Sequence, residues 1–233
     1  MKFELICIDM FQTLVDVNAR RPFIWKRILK EKYNEKLALE CAKSVSKNVF
    51  NKFHESVCEN KEFINLKTMF IPYFDKSFKE MNISFDSKEA VKIFMEEHTN
   101  AVPYADVEAF FSLIGDSLPV CLVSDADYEM IDPILQKYKF DEIFISEKVR
   151  SYKNEINSKI FTEVLKYYSV DQAKVIHIGD SSSDIIGANR VGIKTCWINR
   201  HDEEWRYTPQ PDYIVKALDE VADIVGAKSS VIC

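Results

Sequence analysis

Several stretches of this chain, far apart in sequence, set a reactive side chain just beyond an apolar run. Phe3-Glu-Leu-Ile-Cys-Ile8 is followed by Asp9, and Pro119-Val-Cys-Leu-Val123 by Ser124. Val175-Ile-His-Ile178 runs into Gly179-Asp180, with Asp184 close behind, and Lys153 stands in Ser151-Tyr-Lys-Asn154. In open α/β sheets ligands bind just beyond the carboxyl ends of the strands. A carboxylate placed there is costly unless a cation or hydrogen bonds meet it. Singly, each residue has an ordinary explanation: an Asp starts a turn, a Ser caps a helix, a Lys is solvated. Together they offer a carboxylate nucleophile, a hydroxyl and an ammonium to hold an anion, and acidic groups suited to Mg²⁺. Three carboxylates converging without a cation would raise one another's pKa values, and a hard divalent ion resolves that conflict.

The elements that must position these groups are legible in the hydrophobic pattern. Phe3 to Ile8 reads as a buried strand. From about Pro22 to His98 apolar residues recur at helical spacing: Phe23, Ile24, Ile28 and Tyr33, then Leu37, Cys41, Val45, Val49, Phe53 and Val57. A third helix is expected over Leu66 to Met81, and Asp86-Ser87 caps a fourth over Lys88 to His98. No glycine occurs between Asp16 and Gly115, which fits helices joined by tight polar turns. From Pro103 helices and strands alternate. Helices are expected at Val107–Ile114, Met130–Tyr138, Asn157–Tyr168, Ile185–Val191 and Leu218–Val225. Strands are expected at Pro119–Val123, Glu142–Ile145, Val175–Ile178, Lys194–Ile198 and Tyr213–Val215. Such alternation predicts right-handed crossovers and a parallel sheet. Residues 228–233 read as a loose tail.

Composition narrows the rest. The 233 residues suit one large α/β domain or a core with a small second domain, and 47% apolar residues supply a core. A formal charge of −6 argues against a nucleic-acid surface or a polybasic membrane patch. No apolar run approaches membrane-spanning length, and no signal segment is evident at the N-terminus. The six cysteines show no disulfide-framework spacing, and Cys7, Cys121 and Cys196 fall in strand-like runs, so a reducing cytoplasm is expected.

With these residues in order, the chain resembles the haloacid dehalogenase-like hydrolase superfamily along its whole length. The first motif of that family reads here as Asp9-Met-Phe-Gln-Thr13 after an apolar strand, and the second as Ser124. The third reads as Lys153 in a Tyr-Lys context, and the fourth as Gly179-Asp180 with Asp184. The resemblance implies a Rossmann-like parallel-sheet core, residues 1–16 and 99–233, with an inserted α-helical cap, residues 17–98. It implies that Asp9 attacks the substrate and forms a covalent intermediate. It also implies that Asp9, the backbone carbonyl of Phe11 and Asp180 bind Mg²⁺, with Asp184 direct or through water. Ser124 and Lys153 then hold the transferring group, and Thr13 orients the loop and joins the substrate-binding set. The partner is a small, anionic molecule.

Departures from the family pattern leave the activity open. Phosphatases of the family carry a second Asp two residues after the nucleophile as general acid/base, and Phe11 cannot move a proton. Haloacid dehalogenases carry an aromatic residue there and need neither acid nor metal, yet they typically lack the Asp that this chain keeps at Asp180. Gln12 replaces a usual Gly, Asp125 a usual Asn, and Asn154 a common Pro. The retained carboxylates favour Mg²⁺-dependent hydrolysis of a phosphorylated metabolite. The alternatives are a metal-independent 2-haloacid dehalogenase, with Arg20 or Arg21 on the substrate carboxylate, or a non-catalytic protein that keeps the pocket. Trp197-Ile-Asn-Arg200 reads equally as dehalogenase-like or as a strand end with a surface Arg. His177 reads as a hydrogen-bonded core residue, while His54, His98 and His201 lack metal-ligand spacing. Trp25, Tyr33 and the cap phenylalanines read as core before they read as pocket.

Overall fold

The computed structural model describes residues 2–58 and 62–227. The chain enters through β1 (Leu5–Ile8), turns into β2 (Val15–Asp16) and leaves for four helices: α1 (Arg21–Leu29), α2 (Glu35–Cys58), α3 (Leu66–Glu80) and α4 (Ser87–Thr99). It returns through β3 (Val102–Pro103) and continues as α5 (Val107–Ile114), β4 (Val120–Ser124), α6 (Asp132–Lys137) and β5 (Ile143–Ile145). Then come α7 (Ser146–Val149), α8 (Lys159–Tyr168), β6 (Val175–Gly179), α9 (Ser182–Arg190), β7 (Lys194–Ile198), β8 (Tyr213–Val215) and α10 (Asp219–Val225).

Six strands form one sheet in the order β5-β4-β1-β6-β7-β8, and every ladder in it is parallel. The central strands are buried along their whole length, which is why they read as continuous apolar runs. Side chains alternate between faces. Ile6, Ile8, Leu122, Ile176 and Ile178 pack with Phe110 and Ile114 of α5 and Val221 of α10. Leu5, Cys7, Cys121 and Val123 pack on the opposite face with Phe161 and Val164 of α8 and Ala188 of α9. The fold is therefore α/β with a parallel sheet covered on both sides.

Helices α1–α4 build a separate apolar cluster around Trp25, Ile28, Cys41, Phe74, Phe78 and Val91. Trp25 is core there, stacked on Phe74. Asp86 caps α4 through its side chain, as its position in the sequence suggests. The helical unit hangs from the sheet by two short strands lying side by side, with Val15 paired to Pro103 and Asp16 to Val102. Two-residue strands carry no readable period, so this ladder is not foreseeable from sequence.

Other differences have local causes. The helix expected over Met130–Tyr138 divides into a 3₁₀ turn, Tyr128–Met130, and α6, because Pro133 sits in the first turn of α6 and cannot continue a helix through itself. Helix α9 begins at Ser182 rather than Ile185, because Ser181 and Asp184 form a reciprocal cap over a polar first turn. Arg200 is not a surface residue: it is about a tenth exposed and pairs with Asp106 at 2.9 Å, and its Nη2 donates to the Thr13 carbonyl at 2.8 Å. The tail at 228–233 lies outside the described residues. No helix among the described residues is long and apolar enough to cross a membrane.

The helical unit is also clipped to the sheet. Asp127, buried just beyond β4, accepts from Leu66 N at 3.0 Å and Lys67 N at 2.9 Å. A core carboxylate thus caps α3 from outside that helix. Tyr152 donates its hydroxyl to the Ile64 carbonyl at 2.5 Å. Replacing Asp127 by Ala strands both amides, and we expect a loss of about 1–3 kcal/mol in urea unfolding. Faster hydrogen exchange at Leu66 and Lys67 should accompany it, with Asp127→Asn intermediate. Unchanged exchange there would show that the clip holds nothing.

Candidate active site

The loop after β1 is shaped to present Asp9. The Asp9 amide still donates to Ile178 O at 2.9 Å, so the residue is held at the strand tip. Leu14 N and Val15 N both close on Met10 O, folding the loop back. Gln12 lies in the left-handed region at φ 57, a conformation that disfavours side chains. Its amide oxygen offsets this by accepting from Val17 N at 2.9 Å and Asn18 N at 3.2 Å. The Phe11 ring turns to the helical unit and meets His98 edge-on at 5.3 Å.

The other groups arrive from separate elements. Ser124 is the last residue of β4. Lys153 follows α7, and its amide donates to Asp125 Oδ1 at 2.9 Å. Asp180 follows β6, its carbonyl held by the Trp197 indole at 2.8 Å. Asp184 sits in the first turn of α9, where Ser181 N and Oγ reach its Oδ2 at 3.0 and 2.6 Å. Two glycines make this closeness possible. A Cβ on Gly179 would collide with the Asp184 carboxylate, and one on Gly187 would collide with the Lys153 carbonyl.

Asp9, Thr13, Ser124, Lys153, Asp180 and Asp184 come together, and Phe11 is placed by its ring, which lines the adjoining cleft. Asp9 Oδ1 accepts from Ser124 Oγ at 2.8 Å and from Lys153 Nζ at 2.7 Å. Its Oδ2 has only a long contact, 3.4 Å, from Thr13 Oγ1. Lys153 Nζ also lies 2.5 Å from Asp184 Oδ1, and that oxygen is 2.8 Å from His177 Nε2. Lys153 is buried, and Asp9 and Asp184 surround it closely enough to hold its pKa above the usual lysine value despite that burial. Burial pushes Asp184 up, but Lys153 and His177 together hold it below the usual carboxylate range. Burial raises Asp9, with Lys153 opposing. Burial raises Asp180 well above its ordinary value, and the Asp184 and Asp9 charges raise it further.

These residues fit a divalent cation. Asp9, Asp180 and Asp184 can each place one carboxylate oxygen within 4.8 Å of the others. Among the described residues, no side chain and no other residue's amide donates to the Asp180 carboxylate, and the Phe11 carbonyl takes part in no hydrogen bond. Both oxygens of Asp184, by contrast, are already occupied by Lys153, His177 and Ser181. An all-oxygen donor set suits a hard ion such as Mg²⁺. Asp9, Asp180 and the Phe11 carbonyl would hold it, with Asp184 beside them.

Beside Asp9 a cleft opens between the sheet and the helical unit. It measures about 230 Å³ and is walled by Phe11, Leu66, Phe70, Phe94 and Met130, with Asp125 and His98 as its polar side chains. Arg20 is not in it: Arg20 is paired with Glu97 at 2.6 Å. Arg21 donates to Asn18 at 2.7 Å and lines an adjoining cavity with Trp25, Phe94 and His98.

Several residues carry more than their sequence positions suggest. Burial pushes Asp125 up to about 7, reinforced by Asp184 and Asp9 against Lys153. His177 is a hydrogen-bonded core residue, as read, but the group it holds is Asp184. His98 is half-buried against Phe11 and Phe94, and the loss of solvent lowers its pKa to about 4. The one available signal was the alternation in Ser124-Asp-Ala-Asp127, which sends Asp125 to the cleft and Asp127 to α3.

Comparison with known proteins places this geometry. The family described as haloacid dehalogenase-like hydrolase matches residues 9–198. Pyrimidine 5'-nucleotidase YjjG of Escherichia coli (strain K12) is 35% identical over 88 residues, 37% of this chain and 38% of that protein. (S)-2-haloacid dehalogenase 2 of Pseudomonas sp. (strain CBS-3) is 23% identical over 140 residues, 58% of this chain and 60% of that protein. The chain thus spans less than two thirds of the length of either relative. YfnB from Bacillus subtilis, described as a HAD-hydrolase and solved bound to magnesium, shares the fold with a TM-score of 0.80 at 17% identity, over 97% of this chain and 99% of that one. Relatives of both activities therefore stand beside this chain, and the match across most of its length shows that it belongs to the haloacid dehalogenase-like hydrolases.

Proposed function

We propose that this chain is a Mg²⁺-dependent hydrolase of small phosphorylated metabolites, working through a covalent intermediate on Asp9. The observation that carries the reading is a charge imbalance. Asp9, Asp180 and Asp184 lie within 4.8 Å of one another, yet the one ammonium beside them pairs with Asp9 and Asp184 only, and among the described residues no cation pairs with Asp180. Burying such a set without a further cation is strongly unfavourable. The nucleotidase named among the relatives and the magnesium of the YfnB structure support the same reading. In it, residues 17–98 act as the cap, and the buried free thiols fit a cytoplasmic setting.

Asp9 Oδ2 is the freer oxygen and attacks phosphorus. The bond from phosphorus to the leaving oxygen breaks, and its electron pair departs with that oxygen, which takes its proton from water. Water then attacks the aspartyl phosphate, releasing inorganic phosphate and a proton and restoring the Asp9 carboxylate. Ser124 and Lys153 orient Asp9 through Oδ1 and stand where phosphoryl oxygens would gather. Mg²⁺, when bound, supplies further charge neutralisation on those oxygens. Phe11 offers no proton, so leaving groups that depart easily are favoured.

Phe11 also motivates a second reading, metal-independent dehalogenation, because a halide leaves without a proton. A haloacid brings a carboxylate that needs a buried cation, and among the described residues no Arg or Lys lines the cleft. Binding without turnover is the third possibility.

The test is phosphate release from p-nitrophenyl phosphate. We expect release with Mg²⁺, abolition by EDTA, and a loss of about 10³-fold or more in Asp9→Asn. Halide release from 2-chloropropionate that is indifferent to EDTA would favour the dehalogenase instead. Phe11→Asp restores a proton donor, and we expect its turnover on poor leaving groups to rise by about 10²-fold, the lower end of general acid–base effects. A folded variant no faster than the parent would count against the phosphatase reading.

A further inference from the structure

The cleft has its own chemistry, distinct from the charged cluster. Its walls are Phe11, Phe70, Phe94 and Met130, and its polar side chains are Asp125 and His98. His98 Nδ1 lies 2.7 Å from the Phe94 carbonyl. A carbonyl can only accept, so Nδ1 carries the hydrogen and Nε2 keeps its lone pair. Nε2 has no protein partner among the described residues, and the ring lines the cleft. One oxygen of Asp125 is taken by the Lys153 amide, which leaves the other as an acceptor. Lys153 itself is committed to Asp9 and Asp184. Among the described residues, the cleft side chains therefore offer two acceptors and no cation.

The volume, about 230 Å³, suits one ring with its substituents, since a cavity of about 150 Å³ accommodates benzene. Aromatic walls favour a flat or compact apolar body. Resting on the phosphatase reading, we propose that the cleft selects phosphomonoesters whose leaving group is a single ring bearing a hydrogen-bond donor, neutral or cationic. His98 and Asp125 read that donor, and the same pair rejects a carboxylate by leaving it unpaired.

The probes are three matched aryl phosphates: 4-(aminomethyl)phenyl, 4-methylphenyl and 4-carboxyphenyl phosphate. They are assayed with Mg²⁺ at pH 8, where Asp125 is ionised. The corresponding phenols are titrated calorimetrically, a readout that needs no turnover. We expect kcat/KM and phenol affinity to fall in that order, by about tenfold from the aminomethyl to the methyl compound. The carboxylate should be weakest. Asp125→Asn and His98→Phe should compress the ratio, mainly through KM, while His98→Gln, which keeps an acceptor, should restore part of it. Should a variant fail to fold, the wild-type ratios still decide. Equal ratios, tightest binding of the carboxylate, or no binding of any phenol would overturn the proposal. The expected phenol order without phosphate release would uphold the cleft assignment and overturn the phosphatase reading.

Discussion

One ammonium, Lys153, lies buried between two carboxylates, and much of the surrounding packing follows from keeping it there. Removing three charges from water is expensive, and mutual attraction repays it only when geometry is close and the remaining valences are filled. Each neighbour answers one of those demands. Ser124 and Thr13 turn to Asp9, while His177 and Ser181 fill the remaining lone pairs of Asp184. Gly187 lets α9 approach the Lys153 backbone, and Gly179 lets the Asp184 side chain fold back against β6. Asp180 is the group this network leaves out, which is why it is the natural place for a further cation.

The cleft separates two physical tasks. The charged cluster of Asp9, Lys153, Asp180 and Asp184 lies to one side, while the cleft itself is lined by aromatic and apolar side chains with Asp125 and His98 as its polar groups. Phe11 stands at the boundary. Its backbone belongs to the same loop as Asp9, and its ring belongs to the apolar wall and meets His98. A residue that looks like a simple loss when compared with an acidic counterpart is thus also a contact between the loop after β1 and α4.

The candidate site residues were legible because the central parallel strands are almost wholly apolar and stop abruptly. The first polar residue after β1, β4 or β6 must then lie at the sheet's ligand-binding edge. The helices were legible through their spacing, down to the Asp86 cap. What escaped was whatever depends on a partner distant in sequence. Arg200 reads as surface until Asp106 and the Thr13 carbonyl surround it. Asp127 carries no signal of its role until the start of α3, some sixty residues earlier in the chain, arrives above it. His98 has no motif at all, and its orientation comes from a backbone carbonyl one helical turn away.

The β2–β3 ladder sends the chain out to the helices and brings it home at adjacent positions. A segment spliced in this way behaves as an exchangeable cassette. Its length and lining can be rewritten over evolutionary time while the sheet and its charged centre keep their register. On the proposed reading, substrate range would be set in α1–α4 and reaction chemistry at the strand tips, so the two could change independently within one chain.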